Sequence, residues 1–549
     1  MIVWITHAKV GHRQTPYNQK AQPSVGLFAF QGECKNRDVC ILINIYFSIL
    51  SSIITVWDKS MAIESELKLR VKYEQFAKLK RYFKKHQITQ TVTRRLHNVY
   101  FDTPELDLHQ RKIALRLRRV GGKWLQTLKD GGSVKAGLHQ RDEWEVPVPT
   151  AKLDLSGLNE LLSNDAVTVS MCEKLRPLFT TDFYRTSQLI DWQGARIEVC
   201  MDHGEIRTEH SCASFSEVEL ELKLGETQQL YKLAEAMLVI VPFELESVSK
   251  AEKGFLLLAN YVSQPAKAEL PKLAKTDEVT DSLQTWIWSC LMHLQDNLQG
   301  AMAGVDPEYL HQIRVALRRM RILMHICGKI HTDRELSSLS NALAILSRIL
   351  GHIREWDVFI TQTLNTIPEQ SGTRAIATYA ARQRSECYAE MPFRGVQHLL
   401  LRFAIWMSGE YWQHVQQCEP PMLKFANRYL HQLHKRYVHV QARESEASQL
   451  HALRIQAKKL RYSAEFFSVC YDAHKVKRYL AALGRIQELL GAIHDIYVAK
   501  RLFDEIVLPK HEKVIASFKV RLDVELSEKL KILNKQLAIF ERRQVFWKL

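Results

Sequence analysis

The chain has 549 residues, 46% of them hydrophobic, with 76 Lys and Arg against 60 Asp and Glu and a formal charge of +16. It is too long for a single hydrophobic core and too apolar for general disorder, so two or three globular domains are expected, and the positive field favours acidic partners or substrates. Ten cysteines without a C-x-x-C pair give a zinc-finger arrangement little support and leave a reduced, cytoplasmic protein with buried thiols as the simpler reading.

Val39 to Trp57 is nineteen residues without a charge, long enough to cross a bilayer as a helix. The stretch before it has no signal-peptide pattern, and Met61 opens the first strand-like motif directly after it. Residues 1–60 are therefore expected to be an atypical extension upstream of a working start at Met61. A membrane anchor at 39–57 is the alternative.

From 61 to 262 apolar and polar residues tend to alternate, the period of strands with one charged face. Residues 263–280 contain two prolines and short polar stretches and read as a linker. From 281 to 505 the period is helical, and 506–549 continues as a C-terminal helical extension. The expected class is α+β. Charge separates the halves as well: 275–549 carries 39 basic against 28 acidic residues, and 61–274 carries 31 against 29.

In an extended strand residues at i, i+2 and i+4 share a face, so Glu64, Glu66 and Lys68 point one way while Leu67 and Leu69 point the other. Glu217, Glu219, Glu221 and Lys223 repeat the pattern. Gly121-Gly122 reads as a two-residue hairpin turn, which sets Arg116 opposite Thr127 and Ala114 opposite Lys129 and gathers Arg116, Arg118 and Lys129 on one side. Arg141, Glu143 and Glu145 share a face, as do Arg196, Glu198 and Asp202. Clustered carboxylates repel unless a divalent cation or cationic side chains lie between them. Solvated outer faces of an ordinary sheet explain any one strand. Five such strands, each with an apolar side needing burial, suggest instead an antiparallel barrel whose charged face lines a polar tunnel and whose apolar face is covered by helices such as Tyr73 to His86.

These residues resemble the CYTH, or triphosphate tunnel metalloenzyme, superfamily. The resemblance runs in order over about 61–262, through Glu64-x-Glu66-x-Lys68, Tyr100-Phe101-Asp102-Thr103-Pro104, Leu115-Arg116-Leu117-Arg118, Thr127-Leu128-Lys129, Arg141-x-Glu143-x-Glu145, Arg185, Asp202-x-Gly204, Glu217-x-Glu219-x-Glu221 and Ser249-Lys250 with Lys253. It implies a triphosphate-binding tunnel with a divalent metal, Mg²⁺ or Mn²⁺, for which Glu64, Glu66, Glu217, Glu219 and Glu221 are the candidate ligands. By the same resemblance Lys68, Arg116, Arg118, Lys129, Arg141, Arg185 and Lys250 are the phosphate contacts, and Glu143 and Asp202 complete the catalytic set.

In the helical half, His311-x-x-Arg314-x-x-x-Arg318-Arg319-x-Arg321 recurs 140 residues later as His451-x-x-Arg454-x-x-x-Lys458-Lys459-x-Arg461. Leu350-Gly351-His352-Ile353-Arg354 and Leu490-Gly491-Ala492-Ile493-His494 share that offset, so an internal repeat and two duplicated four-helix bundles are expected. His311, Arg314, Arg318 and Arg321 fall within about an 80° arc, as do His451, Arg454, Lys458 and Arg461. A solvated helix face is the usual fate of such runs; its duplication favours a paired anion-binding groove. The segment resembles a CHAD domain, a helical module associated with inorganic polyphosphate. One departure is that His494 and Tyr497 stand where the first copy has Arg354 and Asp357.

Together the resemblances imply metal-dependent hydrolysis of inorganic tripolyphosphate to diphosphate and phosphate, with polyphosphate as the partner of the helices. The alternatives are thiamine-triphosphatase or adenylate-cyclase activity in the same tunnel, or a non-catalytic polyphosphate-binding scaffold. No nucleic-acid partner is expected, because the basic arcs lack interleaved aromatics, and a membrane enters only through 39–57.

Overall fold

The computed structural model describes residues 62–155, 169–269, 271, 277–366, 371–417, 421–441 and 447–547. The run 39–57 lies outside them, and among the described residues no helix is long and apolar enough to cross a membrane.

The alternating segments form β1 (Ala62–Arg70), β2 (Val92–Asp102), β3 (Ala114–Val120), β4 (Lys123–Lys129), β5 (Ser133–Lys135), β6 (Leu138–Val148), β7 (Arg176–Trp192), β8 (Ala195–Arg207), β9 (Cys212–Leu224) and β10 (Glu244–Leu245). Eight of them run in the order β1-β9-β8-β7-β2-β3-β4-β6, and the β1–β6 pairing closes the cylinder. All pairs are antiparallel, and β5 and β10 attach to its margins. The Gly-Gly hairpin has the expected register, with Arg116 opposite Thr127 and Ala114 opposite Lys129, and Gly121 takes a φ of +60° that a side chain would disfavour. The long β7–β8 hairpin turns through Gln193 and Gly194, both at positive φ.

Leu67 and Leu69 face outward yet are fully buried. They are covered by α1 (Phe76–Phe83), which lays Phe76, Leu79 and Phe83 on them at helical spacing, and by α4 (Thr227–Ile240). Two single-turn helices, α2 (Asp107–Gln110) and α3 (Val169–Cys172), lie beside the strands, and α5 (Lys250–Leu258) is capped by the Ser249 hydroxyl. With its apolar face occupied from outside, the barrel keeps its charged face for the lumen.

The helical part begins with α6 (Val279–Ala303), α7 (Pro307–Ile330), α8 (Arg334–Val358) and α9 (Ser371–Ala389). After α10 (Phe393–Met407) and α11 (Tyr411–Gln417) come α12 (Met422–Gln441), α13 (Ala447–Phe466), α14 (Ala473–Glu505) and α15 (Glu512–Glu541). Asp306, Asp333 and Asp472 accept backbone N–H groups at the starts of α7, α8 and α14, which fixes where those helices begin. The 140-residue offset relates α7 to α13 and α8 to α14, and it brings α9 onto α15. The expected extension after residue 505 therefore holds the counterpart of a repeat helix. The repeats also share a core in which Trp356, Phe359 and Ile376 pack with Ile496, Phe503 and Ile515. A larger apolar cluster is continuous from the outer wall of the barrel into α6, α7 and α10.

Candidate active site in the tunnel and a basic cleft in the helices

The lumen is a cavity of about 700 Å³ lined by Glu64, Glu66, Lys68, Arg116, Arg118, Lys129, Arg141, Glu143, Arg185, Glu219, Glu221 and Lys250. Two candidates stand one layer back. Asp202 and Glu217 are fully buried behind Lys250, whose amine contacts them at 2.7 and 2.5 Å and reaches Glu219 at 2.9 Å. The second oxygen of Glu217 is held by Lys253 at 2.7 Å.

The charges interlock across strands. Lys68 contacts Glu66 at 2.8 Å and also pairs with Glu219. Arg141 binds Glu66 and lies 3.4 Å from Glu64, while Lys129 sits 2.5 Å from Glu64 and 3.1 Å from Glu143. Arg185 grips Asp202 through two bonds at 2.6 and 2.8 Å and reaches Glu219. Burial alone would raise these carboxyls, but the adjoining cations win: Lys68 holds Glu66 far below the usual range, Lys250 and Lys68 do the same for Glu219, and Lys250 with Lys253 brings Glu217 down to about 2. The same contacts push Lys250 and Arg185 well above their ordinary values despite desolvation.

The network is not balanced everywhere, and the imbalance has a direction. On one wall burial, together with Arg116 and Arg185, pushes Arg118 down to about 10, and Glu145 only partly offsets them. Arg118 Nε donates to Asn98 at 2.9 Å, and the buried Arg116 Nε has no hydrogen-bond partner among the described residues. On the opposite wall the registers set Glu66 against Glu221 and Glu221 against Glu198, a row of three carboxylates across β1, β9 and β8. Burial raises Glu221, and Glu64 and Glu198 add to the rise while Lys223 opposes it. Like charges directly opposite in a sheet are destabilising.

A buried acidic cluster able to hold a metal is therefore present. Asp202, Glu217 and Glu219 bring carboxylate oxygens within 4.8 Å of one another, but Lys250 and Lys253 already neutralise that trio. The row at Glu66, Glu221 and Glu198, with Glu64 alongside, also presents hard oxygen donors to the lumen; Lys68, Arg141 and Lys129 pair with Glu66 and Glu64, while among the described residues Glu221 and Glu198 share the single cation of Lys223.

Tyr100 and Glu198 also line the lumen; the sequence placed Tyr100 in a family motif and Glu198 on a charged strand face without assigning either to the site. The Tyr100 ring stacks on Phe179 at 4.7 Å and its hydroxyl contacts Arg116; burial raises the hydroxyl but Arg116 and Arg118 bring it below the ordinary tyrosine value. Its signal was the parity of β2, where Asn98, Tyr100 and Asp102 share the inward face. Asp102 itself is structural, accepting the backbone N–H groups of Thr103, Leu108 and His109.

A second cavity of about 780 Å³ opens between α7 and α13, lined by Arg314, Arg318, Arg321, His451, Arg454 and Lys458, with His325, Lys329 and Lys459 extending it. Burial, Arg318 and Arg454 push Lys458 down to about 6, and burial with Arg318 lowers Arg314 to about 10. The buried Arg454 Nε has no hydrogen-bond partner among the described residues. His311 lies at the edge of this field, lowered by burial and by Arg354. Arg461 turns away, bonding Glu465 at 3.0 Å and Gln487 at 3.3 Å. His494 comes from α14 and stands 5.6 Å from His451, with burial and Arg454 lowering it to about 3.

The family model of the CYTH domain matches residues 62–255 and that of the CHAD domain matches 285–504. An inorganic triphosphatase from Haemophilus influenzae is 35% identical over 206 residues, which cover 36% of this chain and 55% of that protein. The chain thus spans about half the length of the curated relative it matches. Among solved structures, a CHAD domain from the plant Ricinus communis is similar at 24% identity and a TM-score of 0.46, covering 51% of this chain and 98% of that one. The mimivirus capping enzyme triphosphatase is similar at 12% identity and a TM-score of 0.23, covering 36% of this chain and 97% of that one. The barrel is a CYTH domain, and the helices that follow it are a CHAD domain.

Proposed function

We propose that the chain hydrolyses the terminal phosphoanhydride of inorganic tripolyphosphate to diphosphate and phosphate inside the barrel, and that the cleft between α7 and α13 binds longer inorganic polyphosphate. The observation that carries this reading is the polarity of the lumen, with the undercompensated guanidinium of Arg118 on one wall and the undercompensated carboxyl of Glu221 on the other. A phosphate chain accompanied by a divalent cation supplies both missing charges. The Haemophilus influenzae relative, named an inorganic triphosphatase, supports it over the barrel.

Glu64, Glu66, Glu198 and Glu221 would hold Mg²⁺ or Mn²⁺, which when bound supplies Lewis-acid neutralisation of phosphate oxygens. Arg116 and Arg118 present rigid donor forks to the non-bridging oxygens, and the Tyr100 hydroxyl lies beside Arg116 to add a third donor. Lys68 and Arg141 keep Glu66 ionised and oriented. Lys250, anchored by three carboxylates, presents a fixed positive charge that grips the phosphate chain alike in the ground state and the transition state, without reorganisation during the reaction. The helical cleft has the chemistry of a polyanion track, with Arg314, Arg318, Arg321, Arg454 and Lys458 facing one cavity.

The test compares phosphate release from tripolyphosphate, ATP and thiamine triphosphate, each with Mg²⁺, with Mn²⁺ and without added metal. Metal-dependent release that is fastest from tripolyphosphate is expected. Cyclisation of ATP with release of diphosphate, preference for thiamine triphosphate, or no turnover of any of the three would overturn the assignment in favour of the cyclase, the thiamine enzyme or the scaffold.

A further inference from the structure

The helices reach the tunnel through two glutamines. β10 pairs with the inner strand β1, and Glu246 N donates to Lys68 O at 2.8 Å. In an antiparallel pair alternate residues direct their backbone groups away from the neighbour, and here that residue is Leu245. Both of its outward groups are taken by side chains of the CHAD domain. Leu245 N donates to Gln397 Oε1 on α10 at 3.1 Å, and Gln295 Nε2 on α6 donates to Leu245 O at 3.0 Å. Gln397 is 2% exposed and Gln295 8%, so water does not compete for either bond. A carboxamide carries the same donor and acceptor as a peptide group; the two helices stand in for a missing neighbouring strand.

One residue on, Glu246 is buried and its groups turn to the tunnel. Its carbonyl accepts from His139 Nε2 at 3.1 Å, and His139 is the register partner of Glu66. Its carboxylate lies 3.2 Å from Arg70 and 3.0 Å from Lys253. Lys253 holds one oxygen of Glu217 at 2.7 Å, and Lys250 holds the other at 2.5 Å. Contacts of 2.5 to 3.1 Å therefore connect Gln295 and Gln397 to the amine that faces the lumen, broken only by the peptide link from Leu245 to Glu246.

We propose that Gln295 and Gln397 are positioning residues of the triphosphate site: by fixing Leu245 they fix Glu246 and, through Lys253 and Glu217, the place of Lys250. The seating of the helical domain then sets how tightly the tunnel grips phosphate. This rests on the reading of the tunnel given above.

The full chain is compared with Gln295→Glu, Gln397→Glu and the double variant Gln295→Leu/Gln397→Leu. Glu at 397 still offers an acceptor to Leu245 N, whereas Glu at 295 loses the donor and turns a carboxylate toward Leu245 O. Steady-state phosphate release from tripolyphosphate is measured together with amide hydrogen exchange. In Gln295→Glu and the double variant, KM is expected to rise about tenfold with kcat held within about threefold. Exchange should quicken about tenfold over 244–258 and stay unchanged in α15, the pattern of a local opening. Gln397→Glu should stay within about twofold of wild type in both readouts. Unaltered KM and exchange in the double variant, exchange rising equally in α15, or equal impairment by the two Glu variants would overturn the proposal. A wild-type chain that releases no phosphate would instead refute the assigned reaction, and the exchange comparison would still decide the role of the glutamines.

Discussion

Replacing Lys250 with Met probes the ion network where its energetics are best defined. The amine touches Asp202, Glu217 and Glu219, and its position over the Phe183 and Phe215 rings leaves an apolar bed on which a thioether of similar length can lie. Packing is thus largely kept while the charge is lost. Glu217 titrates near 2 in the folded chain against an ordinary 4.5; at ~1.4 kcal/mol for each tenfold change in proton affinity, its ionisation contributes about 3 kcal/mol. Lys253 stays on the second oxygen, so the variant should lose about 2 kcal/mol at neutral pH. The folded-state value lies below the unfolded one, so this stability is complete above pH ~4.5 and is lost as pH falls through about 2. Urea unfolding of both chains at pH 7 and pH 3.5 checks it, with the difference expected to shrink at the lower pH. A difference below ~0.5 kcal/mol at pH 7, or one undiminished at pH 3.5, would refute the assignment of Lys250 as the cation that holds these carboxylates ionised.

Three further outcomes are expected. Glu66→Gln should lower phosphate release in Mg²⁺ or Mn²⁺ at least about 100-fold while the circular dichroism spectrum of the barrel is retained; wild-type turnover in that variant would remove Glu66 from the site. Tyr100→Phe should raise KM for tripolyphosphate several-fold with an unchanged melting temperature, since only a hydroxyl beside Arg116 is lost. Lys458 is pushed down to about 6 from an ordinary 10.5, so the unfolded chain binds the extra proton between these values and the anion-free protein should gain stability as pH rises across that window. Lys458→Met should flatten this dependence. Polyphosphate binding to the wild type near pH 7.5 should take up a proton, read by calorimetry in buffers of different ionisation enthalpy.

Much of the barrel was legible because a period of two assigns every strand residue to a face, and a Gly-Gly turn fixes the register of the hairpin that carries Arg116 and Lys129. Parity names a face but not a depth. Glu217 and Glu219 share a face, yet one is walled off behind Lys250 while the other looks into the lumen, a distinction made by Lys250 and Lys253 of α5, which close on both oxygens of Glu217. The same limit left Glu198 on a charged face beside Arg196 and Asp202, its place in the row with Glu66 and Glu221 being set by the pairing of β1 with β9 and of β9 with β8. In the helices the arc placed Arg454, Lys458 and Arg461 together, but the cleft ends before the last of them. Arg354 and His494 entered the basic field from α8 and α14, whose crossing with α7 and α13 is set by tertiary packing. β10 is two residues long and carries no periodic signal; its partners at Gln295 and Gln397 are fifty and more residues away.

The duplication in the CHAD domain has a mechanical consequence. Copying one basic helix and folding the copy back against its original places two surfaces of equal sign across a narrow gap, so the halves push apart electrostatically while their apolar sides hold them together. Such an arch lacks its keystone, and a polyanion wedged in as proposed would become a structural member of its host. If the cleft takes polyphosphate as proposed, binding and tightening of the domain become a single event, and the length of chain accepted would follow how far the two halves run side by side.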